Sequence, residues 1–289
     1  MKKTLIFSMA VIMLCLSVNA ATVAYWRFED GTNGVVNGTY LDSSGNDSTM
    51  DVNGVTGTSD VAWPTVPRTG QANLLAGNYV PTGADAGDYL RTDGSQYIDT
   101  LDLLDWTIEA TFMYNNLTNY DALGARPGIV CKEGDLGVNG YPYFKVQVDA
   151  PSGYLQVITA RDGGAFRPIN TSTVIETGKW YSVAVTYNGS ASGTDREAEL
   201  YLIAEGETTY TRLGGTSGPW SGVMLNGDLP WSIGRGFRNG TGLGYVDGII
   251  DEVRISDEVL ADTGFLGAVP EPSLIYGGIA LALFAFRRK

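Results

Sequence analysis

Thirty-two carboxylates and no histidine define the chemistry open to this 289-residue sequence. The lack of histidine excludes a Ser-His-Asp triad, a Cys-His pair and His-ligated zinc. The remaining route to hydrolysis is a pair of carboxylates, which retaining glycosidases hold about 5 Å apart. The nearest candidates, Glu109 and the adjacent Asp251 and Glu252, fall in segments patterned like structural strands. No tyrosine–arginine spacing supports a lyase either, so the sequence predicts a protein that is not an enzyme.

A second set of residues has the chemistry to bind sugars. Sugar recognition uses aromatic rings against the apolar face of the pyranose and polar side chains for the hydroxyls. Residues of both kinds lie in or beside glycine-rich segments; they are Tyr141, Tyr143, Phe166, Arg167, Trp220 and Phe237. The alternative is that they are ordinary core and rim residues of a β-sandwich.

Short alternating apolar segments separated by turn residues must position these side chains. This pattern is typical of an all-β domain. It predicts strands at 23–28, 89–91, 97–99, 106–112, 128–132, 143–148, 154–159, 180–187, 199–204, 231–234 and 248–255. Residues 108, 110 and 112 are expected on one face of their strand. Residues 29–88 are expected to form loops and short edge strands. We therefore predict one antiparallel β-sandwich from about residue 22 to residue 266.

The acidic composition limits the partners. The net charge is −13, and the two end segments hold five basic residues and one acidic residue. The middle therefore carries 14 basic against 31 acidic side chains, a charge near −17. Such a surface repels nucleic acid and anionic membrane and suits cations or neutral polymers. Only Cys131 is expected to remain after export, so no internal disulfide is predicted.

Both ends of the sequence predict export. Residues 1–20 combine two lysines, an apolar run and a small-residue site, the layout of a signal peptide cleaved after Ala20. The run is shorter than the ~20 residues of a membrane-spanning helix. At the other end, Pro270, Glu271 and Pro272 precede apolar or small residues at 273–286 and three terminal basic residues. That run would form a short transmembrane helix of about 21 Å, with its basic end in the cytoplasm.

Seven segments resemble, in order, the laminin-G-like, concanavalin-A-like jelly roll of secreted bacterial proteins. They are the opening strand and acidic turn at 25–31, the Asp-Ser-Ser-Gly-Asn loop at 42–46, the strands at 106–110, 178–187 and 198–202, and the closing segments at 231–235 and 247–255. The resemblance implies an antiparallel β-sandwich in which the first and last strands pair. Function stays open, because this fold also hosts hydrolases and lyases. The Glu-x-Asp-x-x-Glu strand of the related glucanases is absent.

The same resemblance implies a structural calcium ion where the N-terminal loops meet the closing strand. The matching residues are Asp42 and Asp251, and Asp47 and Asp51 could contribute from the same loop. Calcium takes carboxylate and carbonyl oxygens in a flexible shell. The alternative is that Asp42 only caps a turn and Asp251 only bonds to a neighbouring loop.

The C-terminal segment resembles the PEP-CTERM sorting signal of Gram-negative bacteria, which implies processing by an exosortase-type membrane peptidase. The expected organisation is a signal peptide at 1–20 removed by signal peptidase, a jelly-roll domain at 22–266 and a sorting tail at 269–289. We expect an exported, non-catalytic surface or extracellular-matrix protein that binds polysaccharide or contributes to a biofilm matrix. It would touch the inner membrane only through its tail. A polysaccharide-degrading enzyme of the same fold and a purely structural surface protein are the alternatives.

Overall fold

The computed structural model describes residues 22–54, 59–62, 74–83, 86–117, 126–134, 140–149, 152–161, 165–191, 197–217, 223–224 and 227–268. In chain order the strands are β1 (Thr22–Trp26), β2 (Thr39–Tyr40), β3 (Met50–Asn53), β4 (Ser59–Ala62), β5 (Leu75–Tyr79), β6 (Pro81–Gly83), β7 (Ala86–Gly87), β8 (Tyr89–Arg91), β9 (Asp105–Tyr114), β10 (Gly128–Lys132), β11 (Phe144–Asp149), β12 (Tyr154–Arg161), β13 (Ala165–Val174), β14 (Tyr181–Asn188), β15 (Glu197–Ala204), β16 (Thr211–Ser217), β17 (Trp231–Ile233), β18 (Arg235–Arg238), β19 (Thr241–Tyr245) and β20 (Gly248–Ser256). A short helix, α1, spans Tyr97–Thr100, and a 3-10 turn spans Asp262–Gly264.

Two antiparallel sheets of eight strands each form a sandwich. Sheet 1 has the order β16-β15-β14-β9-β20-β5-β4, with β1 also paired to β20. Sheet 2 has the order β13-β12-β11-β10-β17-β8-β3-β2. Two separate hairpins pair β6 with β7 and β18 with β19. The predicted all-β antiparallel sandwich is confirmed.

The last strand changes partner half-way along one edge. Residues 248–250 of β20 pair with β5, whereas residues 253–256 pair with β1. The change coincides with a bulge in the pairing of β20 with β9 after Asp251. There Glu252 has a φ of +51°, in the left-handed region that non-glycine residues rarely occupy. The pairing of the first and last strands, implied by the resemblance, is confirmed.

The core lies between the facing surfaces of the two sheets. In β9 the side chains of Ile108, Ala110 and Phe112 all lie in the core cluster, as their spacing predicted. Trp106 of sheet 1 meets Phe144 of sheet 2 edge-on, with ring centroids 5.4 Å apart. Burial of each such large apolar side chain contributes about 1.5–3 kcal/mol. Contacts of this kind hold the two sheets together.

Residues 257–268, the C-terminal segment, cross the outer face of sheet 1. The hydroxyl of Thr107 donates to the Glu258 carbonyl at 2.8 Å. The carboxylate of Glu109 accepts a hydrogen bond from the Leu266 N–H at 2.6 Å. Phe265, which is buried, packs its ring edge-on to Tyr201 and Tyr210. The chain therefore closes this face of the sheet with its own last residues.

One predicted strand is wrong. Residues 97–99 begin the helix α1 instead of a strand. The buried Asp99 carboxylate accepts the N–H groups of Gly94 at 2.9 Å and Gln96 at 3.2 Å, which caps the first turn. Ile98 is buried, and in so short a segment one apolar residue between polar ones fits a helix turn as well as a strand.

The other predicted strands are present within a few residues, and 128–132 has the predicted bounds. The sequence did not predict β13, β16 or the β18–β19 hairpin. Their residues are largely polar or glycine and lack a sustained alternation; β13 and β16 are ordered by pairing with β12 and β15. The expected short strands within 29–88 are present, several at the sheet edges. Within the described ranges, no helix is long and apolar enough to cross a bilayer.

Candidate functional site

Polar side chains line up on the outer face of sheet 2, which the C-terminal segment does not cover. Alternation decides which residues point there. In β11, Phe144, Val146 and Val148 enter the core, so Lys145 and Gln147 face outward. By the same rule β12 presents Tyr154, Gln156 and Ile158, β10 presents Cys131, and β13 presents Asn170.

An amide ladder crosses three strands of this face. Gln147, Gln156 and Asn170 are aligned by the register of β11, β12 and β13. The Gln147 amide donates to the Gln156 carbonyl oxygen, and the Gln156 amide donates to that of Asn170. The ladder runs from the buried Gln147 to the exposed Asn170. The carbonyl oxygen Oε1 of Gln147 is buried without a hydrogen-bond partner in the described part of the chain.

A cleft opens beside the exposed end of the ladder. Its volume is about 180 Å³, and its lining includes Asp149, Tyr154, Gln156, Asn170 and Thr171. Tyr154 is 39% exposed, so much of its ring is open to solvent. The cleft therefore combines an aromatic ring, two amides and a carboxylate, which are the groups that bind sugar rings and hydroxyls.

The β18–β19 hairpin is fastened to the other end of the face by a buried ion cluster. Glu133 accepts hydrogen bonds from Arg91, at 3.2 Å to each carboxylate oxygen, and also from Arg235. The Arg235 guanidinium lies 3.7 Å from the centre of the Tyr89 ring. Removing Glu133 or Arg235, whose side chains are buried, costs about 3–5 kcal/mol, because it leaves a charge unpaired. The hairpin is thus a fixed part of the site.

Lys145 is a buried cation between the ladder and the hairpin. It is 4% exposed. Burial first, and then the positive charges of Arg126 and Arg238, lower the pKa of Lys145 to about 8. Its cross-strand neighbour Cys131 is also buried, and burial raises the pKa of that thiol to about 12. The thiol is therefore neutral at pH 7 and provides no counter-charge.

The predicted ligand-binding residues lie in several places. Tyr141 lies under the guanidinium of Arg238 in the hairpin, and a 2.7 Å backbone bond from Asn239 to Gly140 joins the two segments. Phe237 is the residue before Arg238 in β18. The structure thus brings Tyr141 and the Phe237 strand to one neighbourhood.

The remaining members of that set do not join this group. Tyr143 leaves no room for a side chain at Gly134 or Gly227, so it is packed between these two loops. Phe166 and Arg167 lie in β13, but their side chains are outside the described residues, as is Trp220. The sequence reasoning did not select Tyr154, Gln147, Gln156 or Asn170. The outward position of the two glutamines follows from alternation in the predicted strands, and this signal could have found them.

The predicted calcium ligands have other partners. The two carboxylate oxygens of Asp42 accept four hydrogen bonds: from the N–H groups of Tyr25, Ser44 and Ser48 and from the Ser44 hydroxyl. These four hydrogen bonds occupy all the lone-pair directions of the Asp42 carboxylate. This fits the alternative in which Asp42 caps a turn better than the one in which it binds calcium. Asp251 is buried and accepts the Glu252 N–H at 2.8 Å.

No group of three or more acidic or cysteine side chains close enough to hold a metal occurs among the described residues. Asp47 is exposed in the loop, with a φ of +56°, and Asp51 is exposed in β3. As they stand, these side chains do not form an ion cage. Calcium binding stays a prediction of the resemblance.

The carboxylates considered for hydrolysis lie inside polar networks of sheet 1. Glu109 is bound by Arg254 and by the C-terminal segment. Glu252 accepts a hydrogen bond from the Tyr25 hydroxyl, and burial raises the pKa of Glu252 above its usual range. Both carboxylates are buried on strands of sheet 1, and neither lines the cleft on sheet 2.

A second cleft, of about 240 Å³, lies at an end of the sandwich between β13 and β16. Its charged lining includes Glu176, Lys179 and Glu207. Lys179 is already paired with Glu176 at 3.4 Å. The cleft is larger than the one beside Tyr154, but it offers no amide pair, so it is the weaker candidate for sugar recognition.

The fold and the face can be compared with known proteins. The family model Laminin_G_3, described as the concanavalin A-like lectin/glucanases superfamily, matches residues 82–263. The chain belongs to this family. The Laminin_G_3 match begins after β5, yet β1 pairs with β20 and β3 with β8, so the sandwich includes strands that precede the matched residues. Membership alone does not separate binding from hydrolysis, since the family name covers both lectins and glucanases.

Solved structures agree with the Laminin_G_3 fold. The binding domain of Paraclostridial Mosquitocidal Protein 1 is 15% identical with a TM-score of 0.53, over 84% of this chain and 50% of that chain. A second similar structure is domain 4 of AbnA, a GH43 extracellular arabinanase from Geobacillus stearothermophilus, solved in complex with arabinotriose. It is 14% identical with a TM-score of 0.51, and the match covers 85% of this chain and 96% of that chain. The receptor-binding domain of botulinum neurotoxin D is 13% identical with a TM-score of 0.53, and the match covers 92% of this chain and 54% of that chain.

At these identities the likeness is one of fold. The chain spans about half the length of the two toxin domains that it matches. None of the curated proteins matches it. The predicted processing residues Ala20, Pro270, Glu271 and Pro272, and the predicted tail helix, lie outside the described residues.

Proposed function

We propose that this protein is a non-catalytic carbohydrate-binding protein, and that the outer face of sheet 2 is its binding surface. The observation that carries the proposal is the amide ladder that ends in a cleft beside the exposed Tyr154 ring. Amide groups donate and accept hydrogen bonds at once, as sugar hydroxyls require. The ring offers an apolar surface to a pyranose. The buried Gln147 amide holds the Gln156 amide, which lines the cleft.

Three of the structural neighbours support a binding role. The toxin domains are named as binding and receptor-binding domains, and the arabinanase domain was solved with arabinotriose, a sugar. They share the sandwich, although not the sequence. A glycan-degrading enzyme of this fold is the second candidate, but neither Glu109 nor Glu252 reaches the candidate face, and this favours binding.

We further propose that the protein works outside the cell, as a surface or matrix component of a Gram-negative bacterium, with polysaccharide as its partner. This rests on the two sequence ends. Residues 1–20 would be removed by signal peptidase, 22–266 would form the mature domain, and the tail at 269–289 would be anchored briefly in the inner membrane and processed by an exosortase-type peptidase. The calcium ion implied for Asp42, Asp47 and Asp251 belongs to this proposal as a structural ion.

A glycan array probed with the full chain tests the function, in parallel with calcium and with EDTA. We expect binding to a polysaccharide class, and a fall of about tenfold in affinity, or about 1.4 kcal/mol, for Tyr154→Ala. Tyr97→Ala is the matched control, because Tyr97 is an exposed tyrosine on α1. It should leave the affinity unchanged.

Other outcomes have distinct meanings. A blank array with self-association of the chain would favour a purely structural protein. Release of reducing ends or unsaturated sugars would reveal an enzyme. Equal affinity of wild type and Tyr154→Ala would place the site elsewhere, and equal behaviour with EDTA and calcium would remove the ion from the proposal.

A further inference from the structure

The two clefts described above adjoin each other at the end of β13. The Tyr154 cleft has a volume of about 180 Å³, and Thr171 is part of its lining. The Lys179 cleft has a volume of about 240 Å³, and Thr173 and Val174 line it. Two or three strand residues, roughly 10 Å or less, therefore separate the two clefts.

We infer that the two clefts are halves of one groove, and that this groove binds an uncharged oligosaccharide long enough to occupy both. The inference rests on the carbohydrate-binding function proposed above. It adds the length and the charge class of the sugar.

An exposed cross-strand pair joins the two clefts. Tyr154 of β12 lies opposite Val174 of β13, and residues directly opposite each other project from the same face of a sheet. Tyr154 is 39% exposed and lines one cleft, whereas Val174 is 52% exposed and lines the other. The register of the two strands shifts between Tyr154 and Gln156; without this shift, Ser172 would lie opposite Tyr154. The irregularity thus places an apolar side chain beside the ring.

The volumes also favour one groove over two separate sites. Sites for small molecules usually have about 300–1,000 Å³. Each cleft is smaller than that, but their combined volume lies within the range. A ligand that crosses from one cleft to the other also covers the apolar surface of Tyr154 and Val174, and removing such surface from water favours binding.

The Lys179 cleft has groups that complement the amides of the Tyr154 cleft. Apolar side chains form part of its wall, among them Leu202 and Leu213. The exposed Thr211, which lies on β16 and so on the other side of the cleft from β13, has a hydroxyl that can donate and accept hydrogen bonds. This half therefore suits the apolar face and the hydroxyls of a further sugar ring, while the amides hold the first.

The charges along the groove oppose an acidic sugar. Lys179 is the one cation among the described residues that line either cleft, and it is paired with Glu176. The carboxylates of Glu207 and Asp149 line the groove as well, and Asp149 is paired with Arg126. A carboxylate on the sugar would meet more negative than positive groups in the lining, and like charges at short distance repel.

The experiment measures affinity against chain length by calorimetry with the full chain. The probes are neutral cello-, galacto- and arabino-oligosaccharides of two, four and six units. We expect at least one series to bind, with its tetrasaccharide about tenfold tighter than its disaccharide, because the second half of the groove is then filled within the same complex. Tetragalacturonate, which is acidic, should bind about tenfold more weakly than the neutral tetrasaccharide that binds most tightly.

Thr211→Arg tests the contribution of the Lys179 cleft, because the larger side chain fills it from β16. The ratio of the disaccharide to the tetrasaccharide dissociation constant should fall from about ten to about three or less, whereas Tyr154→Ala should weaken binding at every length. The matched control is Thr39→Arg, since Thr39 is an exposed threonine on β2, at the opposite edge of sheet 2 from β13. The control should keep the ratio, and both arginine variants should keep the thermal midpoint of the wild type because the replaced residues are exposed.

The outcomes separate the groove from the function on which it rests. Equal affinity for two and four units in every series that binds, or a length dependence that Thr211→Arg leaves intact, would contradict the joined groove while sugar binding stands. Tetragalacturonate that binds as tightly as the neutral tetrasaccharide would overturn the charge class. If a polysaccharide binds on the glycan array but none of these neutral oligosaccharides binds, the groove is assigned wrongly. If the array is blank as well, the proposed function itself fails.

Discussion

The two outer faces of the sandwich differ in how their polar side chains are paired. On sheet 1 the chain supplies several partners: Thr107 and Glu109 bond to the C-terminal segment, and Thr111 bonds to Ser182 at 2.8 Å, although Ser256 Oγ is buried without a hydrogen bond among the described residues. On sheet 2, burial lowers the pKa of Lys145 to about 8, and Gln147 Oε1 has no hydrogen-bond partner within the part of the molecule that is described. The hairpin covers part of that face but does not provide a partner for this oxygen.

The contrast indicates which face has polar groups that are not already hydrogen-bonded within the chain. A polar group that is already paired by its own chain has little to gain from a ligand, because one hydrogen bond would only replace another. A group that is buried and unpaired gains the whole bond. The difference between the faces therefore makes opposite predictions for stability and for binding, and substitutions on the two faces can test it.

The largest effect is expected on the closed face, for Glu109→Ala. The variant leaves Arg254 without its carboxylate and the Leu266 N–H without its acceptor. Breaking a buried pair in this way should lower the free energy of unfolding by about 3–5 kcal/mol, measured by urea denaturation. Glu197→Ala is the control, since Glu197 and its partner Arg212 are both more than a third exposed. That pair should contribute less than about 1 kcal/mol, and equal losses in the two variants would contradict the description of a closed face.

Most strands of both sheets could be predicted from the sequence, with β13 and β16 as exceptions, but the contacts that distinguish the two faces could not. Alternation fixed which side Ile108 or Gln147 faces, since it depends only on the period of a strand. The meeting of Gln147 with Gln156 depends on the register between strands, which local sequence does not determine. The helix at Ile98 was missed because Asp99 caps it through contacts that a strand pattern does not reveal.

An opposite and slightly smaller effect is expected on the outer face of sheet 2, for Lys145→Met. In the folded chain the pKa of Lys145 is about 8, against an ordinary value of 10.5. Below pH 8 the folded state carries the full cost of the buried charge, and the variant should be more stable than wild type by up to about 3 kcal/mol. Between pH 8 and 10.5 the unfolded wild type binds more protons than the folded wild type. The free energy of unfolding of the wild type therefore rises with pH in this range, and the stability difference between wild type and variant disappears.

Urea denaturation of both proteins from pH 7 to 10.5 measures this difference. The charged and titratable groups facing Lys145 are Arg126, Arg238 and Cys131, and they are common to both proteins. Lys179→Met should show no such gain at neutral pH, because Lys179 is more exposed and paired. A loss of stability for Lys145→Met at pH 7 would mean that the ammonium has a stabilising partner, and the contrast between the faces would then be wrong.

The smallest effect on stability is expected for Gln147→Met, and it sharpens the comparison because binding should change instead. The variant loses one hydrogen bond to Gln156, which destabilises the fold, and it also loses one buried oxygen that has no partner, which stabilises the fold. These two effects oppose each other. The free energy of unfolding should change by less than about 1 kcal/mol, whereas the affinity for the polysaccharide found on the array should fall several-fold. Thr111→Val on the closed face should do the reverse, with about 1 kcal/mol lost and the affinity kept. If both variants affected stability and binding alike, the two faces would not differ in the way their hydrogen bonds indicate.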